Sequence, residues 1–268
     1  KRTTVQGSLL TLKVEGLLGG HSGQDIDKER QNADLLMARM IQRLLKETKG
    51  QLVSFNGGTK DNAIPRECEA SLIYESDEEA AKAEELACEL AETYAEELTP
   101  AEPDFSCEIS CETNRTAEAI PQDAAKEFIC AMRLAPNGIQ KRNIKMDGFV
   151  VVSLNLGVVR TEEDRIVMIF SPRSSVASLQ EDTKERLNTL AETFGFTVSH
   201  SSEYPGWSFK EDSPVREICK ESYKELFGED LKIEAIHAGL ECGLFSDAIK
   251  GLDAIAIGPT IANCHTPD

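Results

Sequence analysis

Basic residues are scarce. The 29 Lys and Arg stand against 47 Asp and Glu, so the 268-residue chain carries a net charge of −18. Nucleic acid is therefore not expected as a partner, because phosphate binding needs clustered Lys and Arg. An anionic membrane surface makes the same demand. Long apolar runs are also missing, and none approaches the ~20 residues needed to span a bilayer. No secretory signal is read in this stretch, and there is no dense cysteine framework. The eight cysteines are spread along the chain and read as reduced thiols of a cytoplasmic protein. The one close pair, Cys107 and Cys111, has no zinc-site spacing. No H-E-x-x-H helix occurs. Neither Gly-Gly-His-Ser-Gly (19–23) nor Gly-Leu-Glu-Cys-Gly (239–243) is a nucleophile elbow: the first has the wrong spacing, and the second has Cys242 where serine belongs. The chain opens on Lys1 without a Met and stops just after a motif, so both ends read as cut.

Apolar residues at 40% and charged residues at 28% are ordinary for a globular protein that buries a normal core. Alternation predicts strands at Leu9–Val14, Leu52–Phe55, Glu67–Tyr74 and Asp104–Cys111. It also predicts a hairpin from Val150–Val159 and Arg165–Phe170, and a strand at Phe196–Ser199. Fourfold spacing of Leu36, Met40 and Leu44 predicts a helix over Arg30–Lys46. Further helices are expected at Asp77–Leu98, Pro121–Leu134 and Leu179–Phe194. Over residues 1–200 this order implies an α+β unit, with an antiparallel or mixed sheet and helices on one face. Composition shifts near Tyr204-Pro205-Gly206-Trp207. Beyond it, a helix (Ser213–Phe227), a strand (Leu231–Ile236), a loop with a short helix (His237–Ser246) and a strand (Leu252–Ile257) read as parallel α/β structure. Some 65 residues are too few for a core of their own.

Three of the four histidines sit in glycine-containing or post-strand loops, where α/β enzymes keep their sites: His21, His237 and His265. His200 reads as structural or exposed. His265 alone cannot hold zinc, which takes three or more ligands. Arg173, at a strand end, has the geometry to hold a carboxylate, or to sit in a surface ion pair. Asn62 offers an amide to a ligand, or is a turn residue.

Nine strings in order resemble the aminoacyl-histidine dipeptidases, a branch of the M20 metallopeptidase family. They are Gly-Gly-His-Ser-Gly (19–23), Phe-Asn-Gly-Gly-Thr (55–59), Asn-Ala-Ile-Pro-Arg-Glu (62–67), Ala-Pro-Asn-Gly (135–138), Ser-Leu-Asn-Leu-Gly-Val-Val (153–159), Tyr-Pro-Gly-Trp (204–207), Ile-His-Ala-Gly-Leu-Glu-Cys-Gly-Leu-Phe (236–245), Ile-Gly-Pro-Thr-Ile (257–261) and His-Thr-Pro-Asp (265–268). The resemblance implies an α/β di-zinc catalytic domain interrupted by a lid that also forms a homodimer. Residues 1–200 would be the lid and 201–268 the returning catalytic segment. It assigns His21 to oxyanion stabilisation, Asn62, Arg173 and Gly239 to the dipeptide substrate, and His265 to zinc. The family's His-x-Asp motif is absent, and no Glu-Glu pair stands in a fitting context. Most metal ligands and the general base are thus expected outside this chain, and the isolated chain is expected to be inactive. Related carboxypeptidases or aminoacylases, and a non-catalytic dimerisation module, are the alternative readings.

Overall fold

The computed structural model describes residues 1–144, 148–201, 207, 210–233 and 241–258. The first half is a β-α-β-β-α-β arrangement. Its long elements are β1 (Thr3–Glu15), α1 (Ala33–Glu47), β3 (Gln51–Gly57), β5 (Cys68–Tyr74), α2 (Asp77–Leu98) and β6 (Ser106–Ala119). Two-residue strands β2 (Gly20–His21) and β4 (Ala63–Ile64) pair with each other off the main sheet. The second half adds α3 (Gln122–Leu134), β7 (Gly138–Asn143), β8 (Phe149–Thr161), β9 (Ile166–Ser174) and α4 (Ala177–Thr193). Helices α5 (Pro214–Phe227) and α6 (Glu241–Ala248) follow.

The main sheet runs β6-β1-β5-β3-β8-β7, with β9 on the other edge of β8, and every pairing is antiparallel. The expected α+β architecture is therefore present, and its sheet is antiparallel rather than mixed. Leu10, Leu12 and Val14 of β1 meet Met37, Met40, Ile41 and Leu44 of α1 in one buried core. Ala80, Ala83 and Ala87 of α2 and Phe128, Ile129 and Met132 of α3 join the same core. The alanines let α2 approach the sheet closely, and Phe128 packs edge-on against Phe55 of β3 at 5.4 Å. Asn32 caps α1 by accepting from the Asp34 and Leu35 amides, and its own amide donates to Leu156 O at 2.8 Å. One side chain thus starts a helix and ties it to β8. Strand β8 is buried from Val150 to Val159, as a central strand covered on both faces should be.

Two strand expectations, Phe196–Ser199 and Leu252–Ile257, are corrected, and half of a third, Leu231–Ile236, lies outside the described residues. Phe196–Ser199, Leu231–Ile233 and Leu252–Ile257 carry no strand. A strand needs a neighbour to receive its backbone hydrogen bonds, and among the described residues none is paired with these segments. No residue of α5 is buried. Ile218, Leu226, Phe227, Phe245 and Ile249 stay exposed, as does Ile257 at 82%. Strand β7 lay in a stretch read as a helix stop, because Pro136-Asn137-Gly138 masked its start.

Asp34 stands out in the core. It is fully buried in the first turn of α1, beside the Cys68 thiol, and neither carboxyl oxygen receives a well-formed hydrogen bond. A Cβ on Gly57 would lie 1.7 Å from its Oδ1, so only glycine fits above it. Burial pushes the carboxyl up to about 7, against a smaller opposing pull from Cys68. Below about pH 4 the folded and unfolded chains both hold this proton. Above it the unfolded chain releases the proton first, so stability is lost as pH rises towards 7 and the loss then levels off. A shift of this size corresponds to a loss on the order of 4 kcal/mol. Urea unfolding of Asp34→Asn beside the parent chain should show the variant's relative stability rising between pH 4 and 7 and flat above. A pH-independent difference would contradict this account.

Candidate active site

The glycine-rich loop after β1 is held from several directions. Glu102, itself buried, accepts from Leu18 N at 2.7 Å and Gln31 N at 2.9 Å, closing the loop at its base. Arg66 donates to Leu17 O, and Arg30 donates to Gly19 O. Asp25 accepts from the His21 backbone N–H at 2.8 Å and from Lys28 Nζ at 2.7 Å. Gly20 has φ +134°, and a Cβ there would meet Asp25 and Arg30 at 2.6 Å. The double glycine therefore lets the loop fold over its own anchors.

These anchors present His21. Its Nδ1 accepts from Gly23 N and Gln24 N, both at 3.1 Å. The hydrogen-bond pattern thus assigns the neutral ring's proton to Nε2, which makes Nε2 the donor. The backbone of His21 pairs with Ala63, and Ser22 N donates to Asn62 O at 2.9 Å. Asn62 is thereby placed beside His21, and its side-chain Oδ1 is buried with no partner. Arg173, near the end of β9, donates from Nε to Ser22 Oγ at 3.3 Å. Burial pulls its guanidinium below the ordinary arginine value, partly offset by the Asp61 charge.

His21, Asn62 and Arg173 line one open cleft, together with Asp61 and Trp207. Its volume of ≈ 2100 Å³ far exceeds a fitted small-molecule pocket of about 300–1,000 Å³. The walls described here therefore do not by themselves enclose a small substrate. Gly239 and His265, with His237 and Cys264, lie outside the described residues. His200 is exposed, 3.1 Å from Asn188 Oδ1, and also borders the cleft. The Cys242 thiol is directed at Ile255 O, 3.6 Å away. Among the described residues seven cysteines are free. Among the same residues, no group of three or more His, Cys, Asp or Glu is placed to hold a metal ion, and no helix is long and apolar enough to cross a membrane.

Sequence reasoning missed Ser22, Asp25, Glu102 and Asn155, which hold these side chains in place. Asn155 was the one with a signal. An asparagine inside the apolar run Val150–Val159 breaks both β propensity and burial preference.

Residues 12–102 match the family model of the M20 peptidase dimerisation domain. That span covers most of the β-α-β-β-α-β half. Over 96% of its length the chain is 35% identical to the cytosol non-specific dipeptidase of Escherichia coli (strain K12), covering 53% of that protein. It also superposes on the aminoacylhistidine dipeptidase of Vibrio alginolyticus with a TM-score of 0.83 and 32% identity, over 99% of this chain and 58% of that one. The resemblance read from the nine strings is thus borne out. The chain is similar to these two dipeptidases over nearly all of its length, and it spans little more than half of theirs.

The Asp25 anchor can be tested by pH. Burial alone would raise its carboxyl. The Lys28 contact, the His21 N–H and the charges of Lys28 and Arg30 outweigh that, so Asp25 titrates below the usual range. Its stabilising contribution is therefore present above about pH 4 and is lost as pH falls through the lower folded value. Asp25→Asn should cost roughly 1–2 kcal/mol at pH 7, with the difference from the parent shrinking in acid. Equal stability of the two proteins at pH 7 would count against the anchor.

Proposed function

We propose that this chain is part of a zinc-dependent dipeptidase acting on Xaa-His and similar dipeptides in the cytoplasm. Residues 1–200 would be its lid and dimerisation domain, and residues 201–268 a returning segment of its catalytic domain. The observation that carries this reading is the convergence of three unlike groups on one cleft: the His21 ring with Nε2 as donor, the orphaned Asn62 amide oxygen and the half-buried Arg173 guanidinium. A dipeptide offers a carbonyl that becomes an oxyanion, amide and ammonium donors, and a terminal carboxylate. Each has a counterpart here. The relatives named as dipeptidases support the reaction class. The exposed apolar side chains of α5 and α6 support a domain completed by further chain.

In this reading Arg173 binds the substrate carboxylate and Asn62 orients the backbone. His21 donates from Nε2 to the developing oxyanion, a contact worth about 3 kcal/mol. His265 would be a zinc ligand and Gly239 a point of close backbone approach. The described residues do not by themselves fit a metal centre, so zinc and the base that activates water would depend on residues outside them. When bound, the metal supplies a polarised water. The chain's own described residues bind, orient and stabilise. On its own the chain would act only as a two-fold dimerising module.

The test is to join this chain to the part of the E. coli dipeptidase that the match leaves uncovered, and to assay both proteins on a dipeptide panel with zinc. Hydrolysis is expected only in the joined protein. There, His21→Gln should lower kcat about 10²–10³-fold, and Arg173→Met should raise KM roughly 10–100-fold. Unchanged kinetics in both variants would sink the reading. Sedimentation should show a dimer; a monomer at all concentrations would remove the dimerisation role.

A further inference from the structure

Two residues of strand β8, Asn155 and Gly157, concern the loop that carries Asn62. Asn155 is 1% exposed in the middle of β8. Its Nδ2 donates to Asp61 O at 3.0 Å and to Ala63 O at 2.8 Å, the two carbonyls that flank Asn62. Its Oδ1 is buried with no partner. A flipped amide would set Oδ1 against two carbonyl oxygens, so the orientation is unambiguous. Two residues along, a Cβ on Gly157 would lie 2.6 Å from Asp61 Cα and O, and a Cβ on Gly58 would lie 1.9 Å from Gly157 O. The loop is thus pressed onto bare backbone and held there by one amide group.

A valine or leucine, like those around it, would fill this core position without stranding a buried acceptor. An asparagine that leaves one oxygen unsatisfied is costly unless its donors are needed. Through the loop backbone those donors bear on His21, Asn62 and Arg173. Asn62 lies between the two clamped carbonyls. Ala63 pairs with His21, and Asn62 O receives the Ser22 N–H. Ser22 Oγ in turn receives Arg173 Nε, and Arg173 lies across from Ser153 on the same β8 strand.

We propose that Asn155 is a positioning residue for the site: its amide fixes the Asp61–Ala63 loop against β8 and so sets Asn62 and His21 relative to Arg173. The proposal rests on the reading that these three residues face substrate, but its test has a part that does not depend on it. In the chain itself, Asn155→Leu should melt within a few degrees of the parent. The Ser22 amide should exchange with solvent at least about tenfold faster, and the His21 ring 15N shifts, assigned with His21→Gln, should move. In the joined enzyme the same variant should lower kcat about 10–100-fold, with a smaller change in KM. A folded Asn155→Leu with unchanged Ser22 exchange and unchanged His21 shifts would overturn the proposal. If Asn155→Leu does not fold, Asn155→Ala, which adds no bulk, is judged by the same two spectroscopic readouts. A joined enzyme inactive in every version would sink the dipeptidase reading alone, and the Ser22 and His21 signals would still decide the role of Asn155.

Discussion

The arrangement of the candidate site depends on how two surface loops are pinned to strand β8. Neither loop has regular structure of any length; each contributes a two-residue strand, and the two strands pair only with each other. Such a bridge does not hold itself in place. It is held because Asn155 reaches out of a buried strand to two of its carbonyls, and because Gly58 and Gly157 remove the side chains that would keep the loop off the sheet. His21, Asn62 and Arg173 come from positions far apart in the chain, yet each is one or two hydrogen bonds from that contact.

Electrostatics supports the same place by local contrast. The chain is strongly acidic overall, but the glycine-rich loop is surrounded by Lys28, Arg30 and Arg66, with Arg173 across the cleft. Buried Asp25 and Glu102 answer these cations and the loop's backbone N–H groups. Most of the remaining carboxylates sit on exposed faces, such as that of α2. Net charge therefore describes the protein's solvation and says little about its site. Asp34 is the exception in the core, an unpaired carboxyl that burial keeps protonated up to about pH 7.

The fold has two halves that meet at β8. The first half is a β-α-β-β-α-β unit whose sheet would end at β3. The second supplies β8, which pairs with β3 only at Gly57 and Val159 but carries β7 and β9 on its two edges. The cleft lies where β9, α3 and α4 meet the loop of the first half. The described residues of the stretch that follows present apolar side chains to solvent.

Local pattern determined much of this. Fourfold spacing placed α1, alternation placed β1, β5 and the β8–β9 hairpin, and the bounds of α2 were legible to the residue, because side-chain periodicity records which face meets the core. The ordered strings pointed to the dipeptidase relatives and contained His21 and Asn62, while Arg173 stood out by its place at a strand end. Only the tertiary structure decided that Phe196–Ser199 and Leu252–Ile257 are not strands, since a strand is defined by a partner that no local pattern contains. It alone brought Ser22, Asp25, Glu102 and Asn155 into the site. Asp25 acts within its own loop, but the other three act through hydrogen bonds across separations of up to 151 residues, and a contact of that range depends on how the sheet is ordered rather than on spacing along the chain.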